Sequence, residues 1–332
     1  MLALKTIPIP VLIAIMGTVL GLWYKGIDRK LAARMQSRVG PPIRQPFIDI
    51  KKLLVKETIV PEAAVDWLYN LAPLLGLGST ITVLLYLPIG DFPPVLSGYG
   101  DIILVLYLLA FPALAMVLGG FAAGAPYSTV GAQREMVMMV SYELPLATTM
   151  VSIAWKLHTI IPEADVFSLG VIFAHPLWGH VGPVGIIGLA ILLLVTLIVT
   201  PIELSKIPFD VPEAETEIAE GLLSEYTGRN LAMFYLTDAV KTVAMGSLVV
   251  ALFFPYQIGS LLGASGALAV FVNVIFFIIK LFLVITTSVT IVRVAAARFK
   301  IDQVAYIFWV PITLASLAGL GLLILDSFIT FA

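Results

Sequence analysis

The chain has 332 residues, 60% of them hydrophobic and 12% charged, with a formal net charge of −2 and a mean hydropathy of +1.05. Soluble domains carry roughly 25% charge, so these residues cannot build a water-facing surface for a chain of this size, and most of it must meet lipid. The near-neutral charge gives no support for nucleic-acid binding, and the absence of cysteine excludes disulfides, thiol catalysis and thiolate-held iron–sulfur clusters on this chain.

A helix that crosses the bilayer needs about 20 mostly apolar residues. Only helices and closed barrels satisfy their backbone groups in hydrocarbon, and the apolar runs here are too long for barrel strands. They predict an all-α, polytopic membrane protein, one domain over 1–332, with about eight spans. These fall near 7–25, 71–89, 101–123, 136–156, 183–202, 231–254, 268–292 and 304–328. The first run follows Lys5 and lacks a small-residue cleavage site, which predicts a retained span rather than a signal peptide.

Eight spans place both termini on one side. On one face of the predicted topology lie Lys25, Arg29, Lys30, Arg34, Arg38, Arg44, Lys51, Lys52, Lys56, Arg134, Lys206, Arg229, Arg293, Arg298 and Lys300, against Lys5 and Lys156 on the other. Basic loops stay cytoplasmic, so both termini are predicted outside the cell membrane. The cytoplasmic loop over 26–70 carries Phe47, Ile50, Leu53 and Leu54 at helical spacing, with charged residues between them. That pattern predicts a helix lying in the interface. No internal repeat is visible, so an inverted-repeat transporter receives no support. The histidines, His158, His175 and His180, fall in or near an outward loop and read as surface residues.

A second cytoplasmic loop, 203–229, holds Glu203, Asp210, Glu213, Glu215, Glu217, Glu220 and Glu225 of the chain's 21 acidic residues. Pro201, Pro208 and Pro212 preclude one unbroken helix. Crowded carboxylates disfavour joint ionisation and hold protons more tightly; the bland alternative is a solvated acidic run. Within the spans, Glu143 stands in Ser141-Tyr142-Glu143, Lys280 lies near the middle of the seventh, and Glu135 opens the fourth. Asp238 and Lys241 are three apart on one helix face and are expected to pair. Ionisable groups at bilayer depth cost at least a few kcal/mol, so they face polar interiors and mark ion paths, or else form static pairs that fix helix packing.

Several segments together resemble one family, complex I subunit 1. Asp28-Arg29-Lys30 and Gln36-Ser37-Arg38-Val39-Gly40-Pro41 resemble its Glu-Arg-Lys and Gln-x-Arg-x-Gly-Pro signature. Gly131-Ala132-Gln133-Arg134 through Ser141-Tyr142-Glu143 is similar to its Gly-Ala-x-Arg … Ser-Tyr-Glu. Glu203 through Tyr226, with Pro208-Phe209-Asp210, Glu213, Glu215, Glu217, Gly221 and Glu225-Tyr226, resembles its acidic loop, and Arg298 with Asp302-Gln303 its last cytoplasmic connection. The resemblance implies a polar chamber lined by carboxylates and a surface on which a redox arm docks. It assigns proton or charge relay to Glu143, Glu203, Glu213, Glu215, Glu217, Glu225 and Asp238, and Asp210 and Lys241, charged groups of the same loop and span, join them as candidate relay residues. It assigns arm docking or chamber lining to Asp28, Arg29, Lys30, Arg34, Gln36, Arg38, Arg134, Arg298 and Asp302. Asp28 stands where the family has Glu, Ala214 where it has Gly, and Phe308-Trp309-Val310 where quinone-reducing members have Gly-Trp-Lys. Arg134-Glu135-Met136 and Ala297 through Gln303 look more like the energy-converting hydrogenase branch and the related ferredoxin-linked sulfur-reducing complexes.

The expected function is therefore a membrane-embedded, non-catalytic coupling subunit of a redox-driven ion pump. No cofactor or metal is expected on this chain; iron–sulfur clusters, with a nickel–iron centre as one option, are expected on partner subunits. The partners implied are hydrophilic iron–sulfur or hydrogenase-like subunits on the cytoplasmic face, antiporter-like and small membrane subunits, and lipid. The alternatives are a quinone-site subunit of a complex I-type oxidoreductase, a stand-alone ion transporter and a passive anchor.

Overall fold

The computed structural model describes residues 8–96, 98–162, 164–259, 262–263 and 265–331. Among these, eight helices are long and apolar enough to cross a membrane. They are α1 (Pro8–Met35), α3 (Asp66–Tyr86), α4 (Ile102–Ala122), α5 (Pro126–Ile160), α6 (Pro183–Glu203), α7 (Gly228–Phe253), α8 (Ala267–Ala295) and α9 (Ile301–Ile329). The amphipathic helix predicted after the first span is α2 (Gln45–Val55). Local chemistry starts several of them: the Asp101 carboxylate accepts from the Leu104 amide at 2.9 Å to cap α4, and Pro126 and Pro183 occupy the first turns of α5 and α6. Lys5, counted above among the outward basic residues, lies outside the described residues.

The bundle is organised around α7. Its apolar window is 89% buried, against 28% for α8 and for α9, so α7 is the axis and the last two helices face outward. Helices in lipid gain from close backbone packing at small residues, and α1 meets α7 in that way. A Cβ at Gly21 would overlap the Ala239 carbonyl oxygen. One turn beyond Gly21, that approach delivers Lys25 to Asp238. On the neighbouring face of α7, α2 buries Ile50 with Leu22, Ala232 and Ala239, so the interfacial helix is fastened to the bundle as well as amphipathic.

The spans match the predicted ones in number and order but differ in length. α1 continues to Met35, ten residues past the predicted end at 25, and α5 begins at Pro126, ten before the predicted start at 136. Hydropathy marks where a helix leaves hydrocarbon, not where it stops, and both extensions are polar helix that continues past the apolar run. Asp28, Arg29, Lys30 and Arg34 are thereby helical residues, and Glu135 is an interior residue of α5. π-helical turns interrupt α8 at Thr286–Thr290 and α9 at Phe308–Ile312, the second containing Pro311. Turns of this kind recur at functional sites; the second packs on the acidic loop through Phe308 and Phe209, and the first reaches Asp28 of α1 through Thr290.

Lys156 departs from its predicted place on the outward surface. It is 1% exposed. Its ammonium group donates to Asp326 Oδ2 and to Ser327 Oγ, each at 2.8 Å, and the Asp326 carboxylate also accepts the Gly185 amide at 2.9 Å and the Gly182 amide at 3.2 Å. One buried pair thus ties α5 to α9 and caps α6. Removing one partner of a buried pair costs roughly 3–5 kcal/mol, because the other charge is left without compensation. Lys156→Met should lower the thermal unfolding temperature of the detergent-solubilised protein markedly. Lys156→Met with Asp326→Asn should recover much of the loss, since Asn keeps an acceptor for the Gly185 amide. A single variant as stable as the natural chain would remove this pair from the account of stability.

Candidate functional site

The acidic loop does not lie free in water. It folds as short helical turns at Val211–Glu213, Glu215–Ile218 and Gly221–Leu223, the broken path its prolines predict. Arg298 grips Asp210 with two guanidinium nitrogens and reaches Thr216 at 3.1 Å, a bidentate geometry that fixes orientation as well as charge. Arg134 donates to Glu217 at 2.6 Å and to the Val211 carbonyl at 3.3 Å. The Phe209 ring lies 5.6 Å from that of Phe299 and 5.3 Å from that of Phe308, in the α9 π turn. Gly131 permits the contact with α5, because a Cβ there would stand 2.5 Å from the Leu222 amide nitrogen. At the loop's far end Tyr226 stacks on Tyr69 at 4.2 Å, and the Tyr69 hydroxyl donates to the Glu225 carbonyl at 2.8 Å. Ala219 and Glu220 both hold positive φ, 49° and 66°, a conformation that persists only where the surroundings over-determine it.

Beneath the loop lies a polar cavity of about 300 Å³ bounded by α1, α2 and α7. Asp28, Arg29, Asp210, Glu213, Glu215 and Asp238 line it, together with Lys25 and Lys206. Asp238 is the focus: its Oδ2 is 2.6 Å from the ammonium groups of both Lys25 and Lys206. Asp28 accepts from Thr290, in the α8 π turn, and from Arg293, both at 2.7 Å. Arg29 donates to Asp49 of α2 at 3.1 Å. Glu213 is half-buried on the loop side. Burial pushes its carboxyl up to about 7; Lys206 and Lys25 pull against that rise, while Asp238 and Asp210 add to it.

The expected pairing of Asp238 with Lys241 is not made. Two lysines from other elements occupy the Asp238 carboxylate, and Lys241, one turn deeper, turns to Glu203. Its ammonium group donates to the Glu203 carbonyl at 2.6 Å and stands 2.9 Å from the Glu203 carboxylate. Glu203 is 1% exposed and Lys241 6%, so this second pair is sealed from water. The Tyr142 hydroxyl lies next to the Glu203 carboxylate, and Glu135, also 1% exposed, accepts from Ser205 at 3.4 Å. Glu143 is half-buried, one residue along α5 from Tyr142.

The remaining predicted residues fall elsewhere. Lys30 lines a separate groove outside the chamber. Arg34, Gln36 and Arg38 are exposed at the end of α1 and in the turn after it, and Asp302 is exposed in the first turn of α9. Arg134 and Arg298 are engaged with the acidic loop. Sequence reasoning missed Lys25 and Lys206 as partners of Asp238, counting both only as basic surface. It also missed Asp326, although a lone acid in an apolar span was a signal.

The sequence matches the family described as NADH dehydrogenase over residues 7–324. It is 31% identical to hydrogenase-4 component C of Escherichia coli (strain K12) over 295 residues, 89% of each chain. A chain of the membrane-bound sulfane sulfur reductase, an archaeal respiratory membrane complex, superposes with a TM-score of 0.80 at 28% identity, covering 95% of this chain and 98% of that one.

Because Glu213 keeps its proton to higher pH when folded, it favours the folded loop fully below the ordinary carboxylate range and loses that contribution as pH rises through about 7. Infrared titration of the protein with isotope-labelled glutamate should show a protonated-carboxyl band fading with a midpoint near pH 7. Glu213→Gln should lower that band by one glutamate's share. A spectrum that changes only in the ordinary carboxylate range would contradict the assignment.

Proposed function

The chain belongs to the NADH dehydrogenase family, and we propose that it is the membrane-embedded coupling subunit of a multisubunit redox-driven ion pump of the hydrogenase or sulfur-reductase type. The observation that carries this reading is the two-tier arrangement of charge. A water-accessible chamber centred on Asp238 sits one helical turn above a sealed cluster of Glu203, Lys241 and Glu135. In this reading the chamber face is cytoplasmic, in the cell membrane, with both termini outside. A hydrophilic arm bearing iron–sulfur clusters, with nickel–iron as one form, docks over the acidic loop and over Arg34, Gln36, Arg38 and Asp302. Antiporter-like and small membrane subunits receive the charge displacement. This chain itself holds no cofactor and performs no bond chemistry.

The coupling is electrostatic. An electron arriving about 8 Å from a carboxylate changes its energy by roughly 2 kcal/mol at an effective dielectric of about 20, or about 1.5 pKa units. Glu213, already near neutrality, would take up a proton under that field, while Glu215, Glu217 and Glu225 supply further acceptors on the loop. Neutralising Glu213 relaxes the acid side of the chamber, so Lys206 and Lys25 bind Asp238 under a changed potential. Lys241 answers at the Glu203 pair, and the proton position shifts between Glu203, Glu135 and Glu143 inside the bundle. The relatives named above, components of a hydrogenase and of a sulfane sulfur reductase, support the assignment to such a complex.

Glu143→Gln removes one ionisation while preserving shape. The variant complex should assemble with its full set of subunits and lose most of its redox-driven ion transport, measured in inverted vesicles by a pH- or sodium-sensitive dye. Full pumping by a correctly assembled variant would remove Glu143 from the relay.

A further inference from the structure

We propose that the groove between α1 and α2 is a binding site for one anionic phospholipid. The groove, about 730 Å³, is lined by Val19, Leu20, Trp23, Pro42, Ile43 and Phe47, with Lys30 and Arg44. Its volume falls within the roughly 300–1,000 Å³ of ligand pockets. On α1 its residues Val19, Trp23 and Lys30 recur at helical spacing on the side away from the chamber residues Leu22, Lys25 and Arg29, and the two cavities share no lining residue. The groove is thus a second site, and no step of the charge relay uses it.

Its polarity is graded along the membrane normal. From Val19 to Lys30 the helix rises about 16 Å, close to half of the roughly 30 Å hydrocarbon thickness. The apolar part therefore matches the acyl region of one leaflet, and the cations sit at the level of its phosphates. The return of the chain fixes that geometry: a Cβ at Gly26 would overlap the Ile43 carbonyl oxygen, so Pro42–Arg44 lies directly on α1, one turn from Lys30. Charge complementarity names the occupant. Arg29 and Arg293 are held by Asp49 and Asp28, but the side chains of Lys30 and Arg44 have no hydrogen-bond or ion-pair partner among the described residues. Two uncompensated cations above an apolar slot, on a chain embedded in lipid, suit a phosphate headgroup with its acyl chains below, and basic pockets beside membrane helices take anionic headgroups. Trp23 at the mid-groove is 49% exposed, which leaves its ring for the acyl chains to cover.

Trp23 also provides the reporter. The complex containing this chain is reconstituted into phosphatidylcholine vesicles containing phosphatidylglycerol, with bromine on the acyl chains of one lipid or the other. The Trp23 signal is the fluorescence difference between the natural complex and Trp23→Phe. Two cations worth about 1 kcal/mol each predict a preference of roughly thirtyfold for the anionic lipid. Half-maximal quenching should thus need a far lower mole fraction of brominated phosphatidylglycerol than of brominated phosphatidylcholine. Lys30→Gln with Arg44→Gln should abolish the preference, and Lys30→Arg with Arg44→Lys should keep it. Equal quenching by the two lipids in the natural complex overturns the proposal, as does a Trp23 shielded from both by a neutral isoprenoid such as a quinone. The natural-complex comparison decides the matter even if the double glutamine variant fails to assemble.

Discussion

Charge held in hydrocarbon must be matched by opposite charge, and that constraint shapes every functional part of this molecule. An unpaired ion at bilayer depth costs several kcal/mol, and three carboxylates of the bundle are each met by a cation from another element. Asp238 has Lys25 and Lys206, Glu203 has Lys241, and Asp326 has Lys156. The pairs lie between helices rather than along them. Each therefore does two jobs: it removes a desolvation penalty and it sets the register of two helices. The chamber exists because α1, α7 and the acidic loop each bring one member of a three-way contact and cannot close further without pressing like charges together.

The number, order and approximate position of the spans were legible in the sequence because an apolar run of bilayer length is rarely stable anywhere but in a membrane. Helix ends were less so. Residues 26–35 and 126–135 are as polar as loop, and their helical course is supported by the tertiary pairs of Asp28 with Arg293, Arg29 with Asp49 and Arg134 with Glu217. The segments of the chamber were also legible, since Asp28, Asp210, Glu213 and Asp238 stood out as charged groups in or beside apolar surroundings and carried the family resemblance. The pairing was not. The i, i+3 spacing of Asp238 and Lys241 offered a local solution, and the chain instead uses partners more than thirty residues away, a choice made by the approach of α1 at Gly21 and the turn at Ser205–Lys206. No periodicity in one segment encodes such a contact. Lys156 shows the same limit, for at the end of a span a buried lysine and a surface lysine have the same sequence neighbourhood.

The acidic loop is the part that the resemblance described well and elementary composition described poorly. By charge alone it reads as a solvated run. Its anchors, Arg134 on α5 and Arg298 before α9, lie far away in sequence, and the aromatic contacts of Phe209 and Tyr226 supply the apolar grip that so acidic a stretch lacks by itself. Its carboxylates Glu215 and Glu220 are left at the chamber rim.

α5 is restrained near both ends, by Arg134 against Glu217 on the loop side and by Lys156 against Asp326 on the other. Some 22 residues separate the two fastenings, a rise of about 33 Å, so this helix is a shaft seated in two bearings and can neither slide nor tilt freely. Between them lies Pro145, whose missing amide leaves the Ser141 carbonyl without its helical donor. Flexing at that joint is the motion left to it, and Tyr142 and Glu143 ride on the joint. A push on the loop from outside the membrane would therefore reach the interior as a change of angle at Glu143, with the far bearing holding still.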